Sequence, residues 1–238
     1  MKLALVTTAR VEGSAVGAYS AALAAELAKL VELSLFVEPE FAAGEAHGAK
    51  LRRADELLPR EFDQVLYQVG DEARLAFLAP MVRALGGAVA LHDWKLFDFA
   101  CAARPELSRG GLRSFVAAVR EGGVAQAALH RRRRTDARAP TPALNRSIVR
   151  FGDAFVTHSE ALGRAILDER NAPTPVGTIA PDVELVEGVA GACTALESCE
   201  GRWDAVAARY VELLERFPKP RTARKTLIAM RLAARARR

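Results

Sequence analysis

Short apolar runs alternate with amphipathic stretches over most of this chain. Lys2–Thr7 is aliphatic and reads as a buried strand. Residues 8–16 hold Gly13 and small residues, so a loop follows. Gly17–Leu30 repeats apolar side chains at helical spacing (Ala18, Ala22, Ala25, Leu27). Val31–Val37 is a second strand, closed by Pro39. Residues 42–58 are polar and predict a loop with a short helix. Phe62–Gln68 is a third strand, and Glu72–Leu85 a helix kinked at Pro80. Gly87–Leu91 is a fourth strand. Strands alternating with helices predict βαβ units, and hence a parallel sheet flanked by helices.

Residues 94–150 read as mostly helical, interrupted at Gly110-Gly111 and Gly122-Gly123. A turn-like stretch, Ala137–Pro142, ends this region. Then come a strand (Asp153–Thr157), a helix (Ser159–Glu169, with Ser159 suited to cap it) and a short strand (Pro175–Ile179). Residues 183–201 form a small-residue connector. Arg202–Phe217 is a helix with Val206, Tyr210, Leu213, Leu214 and Phe217 apolar. Residues 218–238 are a basic tail.

Composition narrows the picture. Half of the 238 residues are hydrophobic but only 6% are aromatic, which suits an α/β core built from Ala, Leu and Val. The net charge is +5, unevenly spread between the Arg131–Arg134 block and the tail. Those arginines are either a solvated helix face or a patch for anionic lipid or nucleic acid. No aromatic residues interleave the basic ones, which argues against single-stranded nucleic acid. In the tail, Arg224, Arg231, Arg235 and Arg238 share one helical stripe beside Ile228 and Leu232, a narrow face for an anionic membrane surface. Cys101, Cys193 and Cys199 form no CxxC pair, and the histidines have no metal-ligand spacing, so no metal site is expected. The N-terminal apolar run is too short for a signal peptide, and no stretch is long enough to span a bilayer. These features lead to an expectation of a cytoplasmic protein, with peripheral membrane contact through the tail.

The candidate chemistry lies at strand ends, where open α/β sheets put their ligands. His92-Asp93 directly follows the fourth strand. An imidazole there can act as a base near neutral pH, and the alternative is a structural histidine. Gln68, Gly70 and Asp71 end the third strand, and His158-Ser159-Glu160 end the last long one. A helix beginning at Ser159 could also favour an anion. The loop after the first strand could be a phosphate-binding turn, but it has only Gly13 and Gly17, not GxGxxG, which makes a weak dinucleotide fingerprint.

Together, Val-Leu-Tyr-Gln-Val-Gly (65–70), Leu-His-Asp-Trp (91–94), Val-Thr-His-Ser-Glu (156–160) and Ala-Tyr-Ser-Ala-Ala-Leu (18–23) resemble the N-terminal, acceptor-side domain of family 4 glycosyltransferases, which have the two-domain GT-B architecture. The resemblance covers residues 1–182 and resumes at Arg202–Tyr210, which is similar to the family's closing helix. It implies a single Rossmann-like domain over 1–182, a connector over 183–201, a helix over 202–217 packed back on the domain, and the tail over 218–238. By the same resemblance His92 lies beside donor and acceptor, with Asp93 orienting it or touching a sugar hydroxyl. Gly13, Ser14, Tyr19, Gln68, Gly70, Asp71, His158, Ser159 and Glu160 are then substrate-binding. The family's second domain, with its basic pair and paired glutamates for the nucleotide sugar, has no counterpart here; the usual His-Gly before the crossing is Pro181-Asp182. Glu32 and Glu40 match the spacing of the glutamate pair but lie on the wrong strand.

The implied function is the acceptor-binding half of a retaining sugar transferase in glycan or cell-envelope polysaccharide assembly. It would use a nucleotide sugar as co-substrate, no resident cofactor and a sugar or lipid-linked acceptor. A donor-binding partner chain or a homodimer would complete the cleft. The competing reading is a non-catalytic relative acting as a binding or scaffold protein. On that reading the face left by the missing domain would be apolar.

Overall fold

The computed structural model describes residues 1–170, 172–179 and 202–220. Its centre is an eight-stranded sheet of order β3-β4-β2-β1-β5-β6-β7-β8. The strands are β1 (Lys2–Val6), β2 (Glu32–Val37), β3 (Glu45–Ala46), β4 (Ala49–Arg53), β5 (Gln64–Val69), β6 (Ala88–Leu91), β7 (Ala154–Thr157) and β8 (Val176–Thr178). All neighbours run parallel except β3, which pairs antiparallel with β4 at one edge. This is the expected α/β class: one Rossmann-like domain, a mostly parallel sheet between helices.

Strand alternation sorts side chains onto two faces. Val65, Tyr67 and Val69 of β5, Val89 and Leu91 of β6, and Phe155 of β7 join one buried cluster. Leu66, Ala88, Ala90, Ala154 and Val156 join the other. The first cluster is covered by α2 (Leu78–Leu85), α6 (Arg146–Phe151) and α7 (Glu160–Arg170). The second is covered by α1 (Ala15–Leu30) and α8 (Trp203–Arg216). α8 is the closing helix, and its Ala207, Tyr210, Leu213 and Leu214 pack there with Tyr19, Leu23 and Leu27 of α1. The far end of α8 is held by Gln64, whose amide donates to the Leu214 and Phe217 carbonyls at 2.8 and 3.1 Å.

Two expectations are corrected. Residues 42–58 are not mainly a loop. Residues 45–53 form the β3–β4 hairpin, with a two-residue turn at His47 and Gly48, both at positive φ (52° and 75°), and the expected short helix is a single 3₁₀ turn at Ala54–Glu56. Such turns match the twist of the flanking strands. The helix over 72–85 is not kinked at Pro80. A 3₁₀ turn (Ala73–Phe77) precedes α2, and Pro80 sits in the first turn of α2, where its missing N–H costs nothing.

The middle of the chain folds as α3 (Phe97–Ala103), α4 (Pro105–Arg109) and α5 (Gly111–Thr135). α5 reverses at Gly123 (φ 80°, ψ 178°). Its two limbs therefore form an antiparallel hairpin: Ser114 on the first limb and His130 on the second are hydrogen-bonded at 3.2 Å. The hairpin has its own small core of Leu107, Ala117, Ala118, Ala127 and Leu144. The connector over 183–201, Pro181-Asp182, Cys193, Cys199 and the tail stripe lie outside the described residues.

Candidate functional site

The carboxyl ends of β1, β5, β6 and β7 bring the sequence-predicted residues to one edge. Strand parity decides how they meet. Gln68, His92 and His158 continue the even-numbered face, toward α1 and α8. There they form a chain: His92 Nε2 lies 2.7 Å from Gln68 Oε1, and His92 Nδ1 lies 3.1 Å from His158 Nε2. The Tyr19 ring closes over both imidazoles, 4.7 Å from His92 and 5.0 Å from His158. Trp203 packs edge-on against Tyr19, and the Tyr19 and Tyr210 hydroxyls are 3.3 Å apart. The closing helix thus completes the lid over the histidine pair.

His92 is fully buried and His158 nearly so. Burial holds the His92 imidazole well below its ordinary range, and the neighbouring His158 lowers it further. Burial pushes His158 down to about 4, with the Ile179 backbone opposing. Both rings are therefore neutral at physiological pH. With Gln68 Oε1 accepting from His92 Nε2–H, His92 Nδ1 accepts from His158 Nε2–H. Turning the amide over reverses the direction of donation and leaves both rings uncharged.

Asp93 does not orient the His92 ring. Adjacent residues leave a strand on opposite faces, so Asp93 points to the other side. Its Oδ2 accepts the Asp71 backbone N–H at 3.0 Å. Asp71 in turn starts α3, its Oδ1 accepting the N–H groups of Asp98 (2.6 Å) and Phe99 (3.1 Å). Burial pushes Asp71 up to about 6, against the pull of the Phe99 and Asp98 N–H groups. Asp93 is also raised by burial, with the Asp71 N–H opposing. Each carboxylate keeps one oxygen with no protein donor among the described residues: Oδ2 of Asp71 and Oδ1 of Asp93. Gly70 lets this rim close up, since a Cβ there would lie 2.6 Å from Val16 and 2.9 Å from Asp93 Oδ2.

The loop between β1 and α1 is occupied by the protein itself. Ser14 caps α1, its Oγ accepting the Gly17 N–H at 2.8 Å and donating to Glu72 Oε2 at 2.5 Å. The other Glu72 oxygen accepts the Val16 N–H at 3.0 Å. Arg74 clasps the loop through the carbonyls of Arg10, Glu12 and Gly13. Buried Glu38 holds the loop's start, accepting from Thr8 Oγ1 (2.6 Å) and Ala9 N–H (3.0 Å). A carboxylate already sits where a phosphate would meet the helix. Gly13 is exposed on this loop.

On β7's side, Ser159 does cap α7, its Oγ accepting the Leu162 N–H at 3.2 Å. Glu160 is exposed, 3.9 Å from Arg164. Neither touches the His92 chain. The edge is not apolar: Val11 and Phe41 are its only large exposed hydrophobic residues among those described. Glu38 and Glu72 were missed from sequence, because their roles depend on contacts 29 and 56 residues away. No group of three or more His, Cys, Asp or Glu among the described residues is arranged to hold a metal ion. No described helix is long and apolar enough to cross a membrane. The chain matches no model of a known protein family, and no curated protein matches it.

Proposed function

We propose that this chain is a glycosyltransferase-like, acceptor-side domain that binds the hydroxyl groups of a neutral glycan at its carboxyl edge and does not catalyse transfer by itself. The observation that carries this reading is the pairing of two unlike groups at one edge. The half-buried carboxylates of Asp71 and Asp93 are fixed by backbone N–H groups and keep an oxygen each for a ligand. The imidazole of His92 has both nitrogens engaged and no exposure. A carboxylate oxygen is a strong acceptor for a sugar hydroxyl. The neighbouring Asp71, Glu72, Asp93 and Asp98 disfavour a diphosphate, so the edge suits an acceptor better than a nucleotide-sugar donor. A general base must reach its proton within hydrogen-bond distance, and a buried imidazole of depressed basicity does neither task.

The test is calorimetric titration with a panel of neutral oligosaccharides and of UDP-, GDP- and ADP-sugars. The expected result is saturable binding of a glycan, weakened about tenfold by Asp71→Asn with Asp93→Asn, and no donor binding. Saturable binding of a nucleotide sugar that His92→Ala abolishes would overturn the reading. It would favour a transferase cleft built with a second chain.

A further inference from the structure

The α5 hairpin carries a second site, distinct from the carboxyl edge and independent of its interpretation. A cavity of about 620 Å³ on the hairpin is lined by Leu112, Ser114, Phe115, His130, Arg131 and Arg134 among others. It opens at the N-terminus of α5. That terminus has no side-chain cap and no acidic residue in its first turn. Helix N-termini carry partial positive charge, worth about half an elementary unit. The antiparallel second limb nevertheless brings Arg131 and Arg134 to the same place. Arg134 Nη1 lies 3.5 Å from Ser114 Oγ on the first limb. Neither arginine pairs with a carboxylate among the described residues. Arg134 also sits in the last turn of the second limb, where a cation is favoured by the carbonyl end. It and Arg131 nonetheless face the uncapped N-terminus of the first limb, and leave a concentration of positive charge there that an anion would neutralise.

The floor of the cavity narrows the anion. Ser114 and His130 are both 2% exposed. His130 Nε2 lies 3.1 Å from the Leu107 carbonyl, which only accepts, so Nε2 carries the proton. Nδ1 then holds a lone pair, and it is buried without a hydrogen-bond partner. It calls for a donor. A phosphate monoester supplies both needs: oxygens for the arginines and helix N–H groups, and a P–OH near neutral pH for the imidazole. A diester lacks the P–OH. The wall is apolar. Leu112 is 78% exposed and Phe115 half-buried. Such a rim accommodates an apolar substituent on the ester.

We propose that this cavity binds a phosphate monoester, with Arg131 and Arg134 as the anion ligands and the first turn of α5 as the third. The full chain is titrated calorimetrically with inorganic phosphate and glycerol 3-phosphate. It is also floated with phosphatidylcholine vesicles containing either phosphatidic acid, a monoester, or phosphatidylglycerol, a diester. Saturable binding is expected, and Arg131→Gln with Arg134→Gln should weaken it at least about tenfold. Leu112→Glu puts a carboxylate into the same first turn. It should block binding while leaving the melting temperature unchanged or higher, which separates lost binding from lost folding. Preference for phosphatidic acid vesicles identifies a lipid source, and binding of the soluble ester alone identifies a soluble one. Capture by both vesicle types that the α5 arginine variant weakens equally overturns the monoester assignment; capture that the variant leaves intact belongs to the basic tail and overturns the α5 site as a lipid site. No binding of phosphate, or binding that the arginine variant leaves intact, overturns the site.

Discussion

Two helix N-termini in this protein meet the same electrostatic problem in opposite ways. At α1 the chain supplies its own anion. Ser14 caps the helix, and the Glu72 carboxylate takes the Ser14 hydroxyl and the Val16 N–H. At α5 the chain supplies none, and adds Arg131 and Arg134. The difference extends beneath each helix. Under α1, the Gln68–His92–His158 chain is closed over by Tyr19, Trp203 and Tyr210. Under α5, a cavity stays open above a buried His130. A strand-end histidine can therefore be architecture, while an arginine run that reads as solvated surface can line a site. Position on the sheet alone does not decide between them; the state of each polar atom does.

The sealed region breaks first in acid. A histidine buried neutral stabilises the fold above its ordinary value near 6.5, and that contribution is lost as pH falls toward the lowered folded value. Each of His92 and His158 should cost about 1.4 kcal/mol per pH unit in this window. Asp71 works the other way. Its folded value near 6 means that its stabilising protonation is present below about pH 4 and lost as pH rises through 6. Two fully buried imidazoles outweigh one half-buried carboxyl, so net stability should fall from pH 6.5 to 4. Urea unfolding across that range measures it.

Next in size is Glu72→Ala. It strips the carboxylate from the Ser14 hydroxyl and the Val16 N–H, and should cost about 2–3 kcal/mol. It would also make α1 resemble α5. With the α5 arginines replaced in both chains, added phosphate should then raise the melting temperature of the Glu72→Ala variant and not that of the Glu72-bearing chain. Ser14→Ala keeps Glu72 and loses one cap, for about 1 kcal/mol in urea. Smallest is Asp71→Asn. It keeps acceptors for the Asp98 and Phe99 N–H groups, so stability should change by only a few tenths of a kcal/mol. Its signature is a steeper loss of stability between pH 6 and 4, because the opposing protonation of Asp71 is gone.

Much of this fold was legible in the sequence. Aliphatic runs gave β1, β2, β5, β6 and β7 to within two residues, and Ser159 and the glycine pairs marked real boundaries. β4 escaped because Ala-Lys-Leu-Arg-Arg (49–53) alternates poorly and is flanked by an edge strand of two residues. The only local signal was His47-Gly48, a turn pair less familiar than Asn-Gly. At the site, the strand ends were found but their wiring was not. Parity would have placed Gln68, His92 and His158 on one face and Asp93 on the other. Pairing His92 with Asp93 followed adjacency in sequence, which a strand turns into opposition in space. Glu72 and Glu38 carry no local pattern, since their partners lie on other elements.

The sealed histidine pair is the claim on which the rest depends, and its protonation can be followed directly. Long-range nitrogen–proton NMR spectra of the imidazoles, recorded from pH 8 to 5, report the charge and tautomer of each ring. The structure predicts that His92 and His158 stay neutral throughout, each with a single protonated nitrogen. A His92 resonance that titrates near 6.5 would contradict it, and would return that imidazole to the list of working bases.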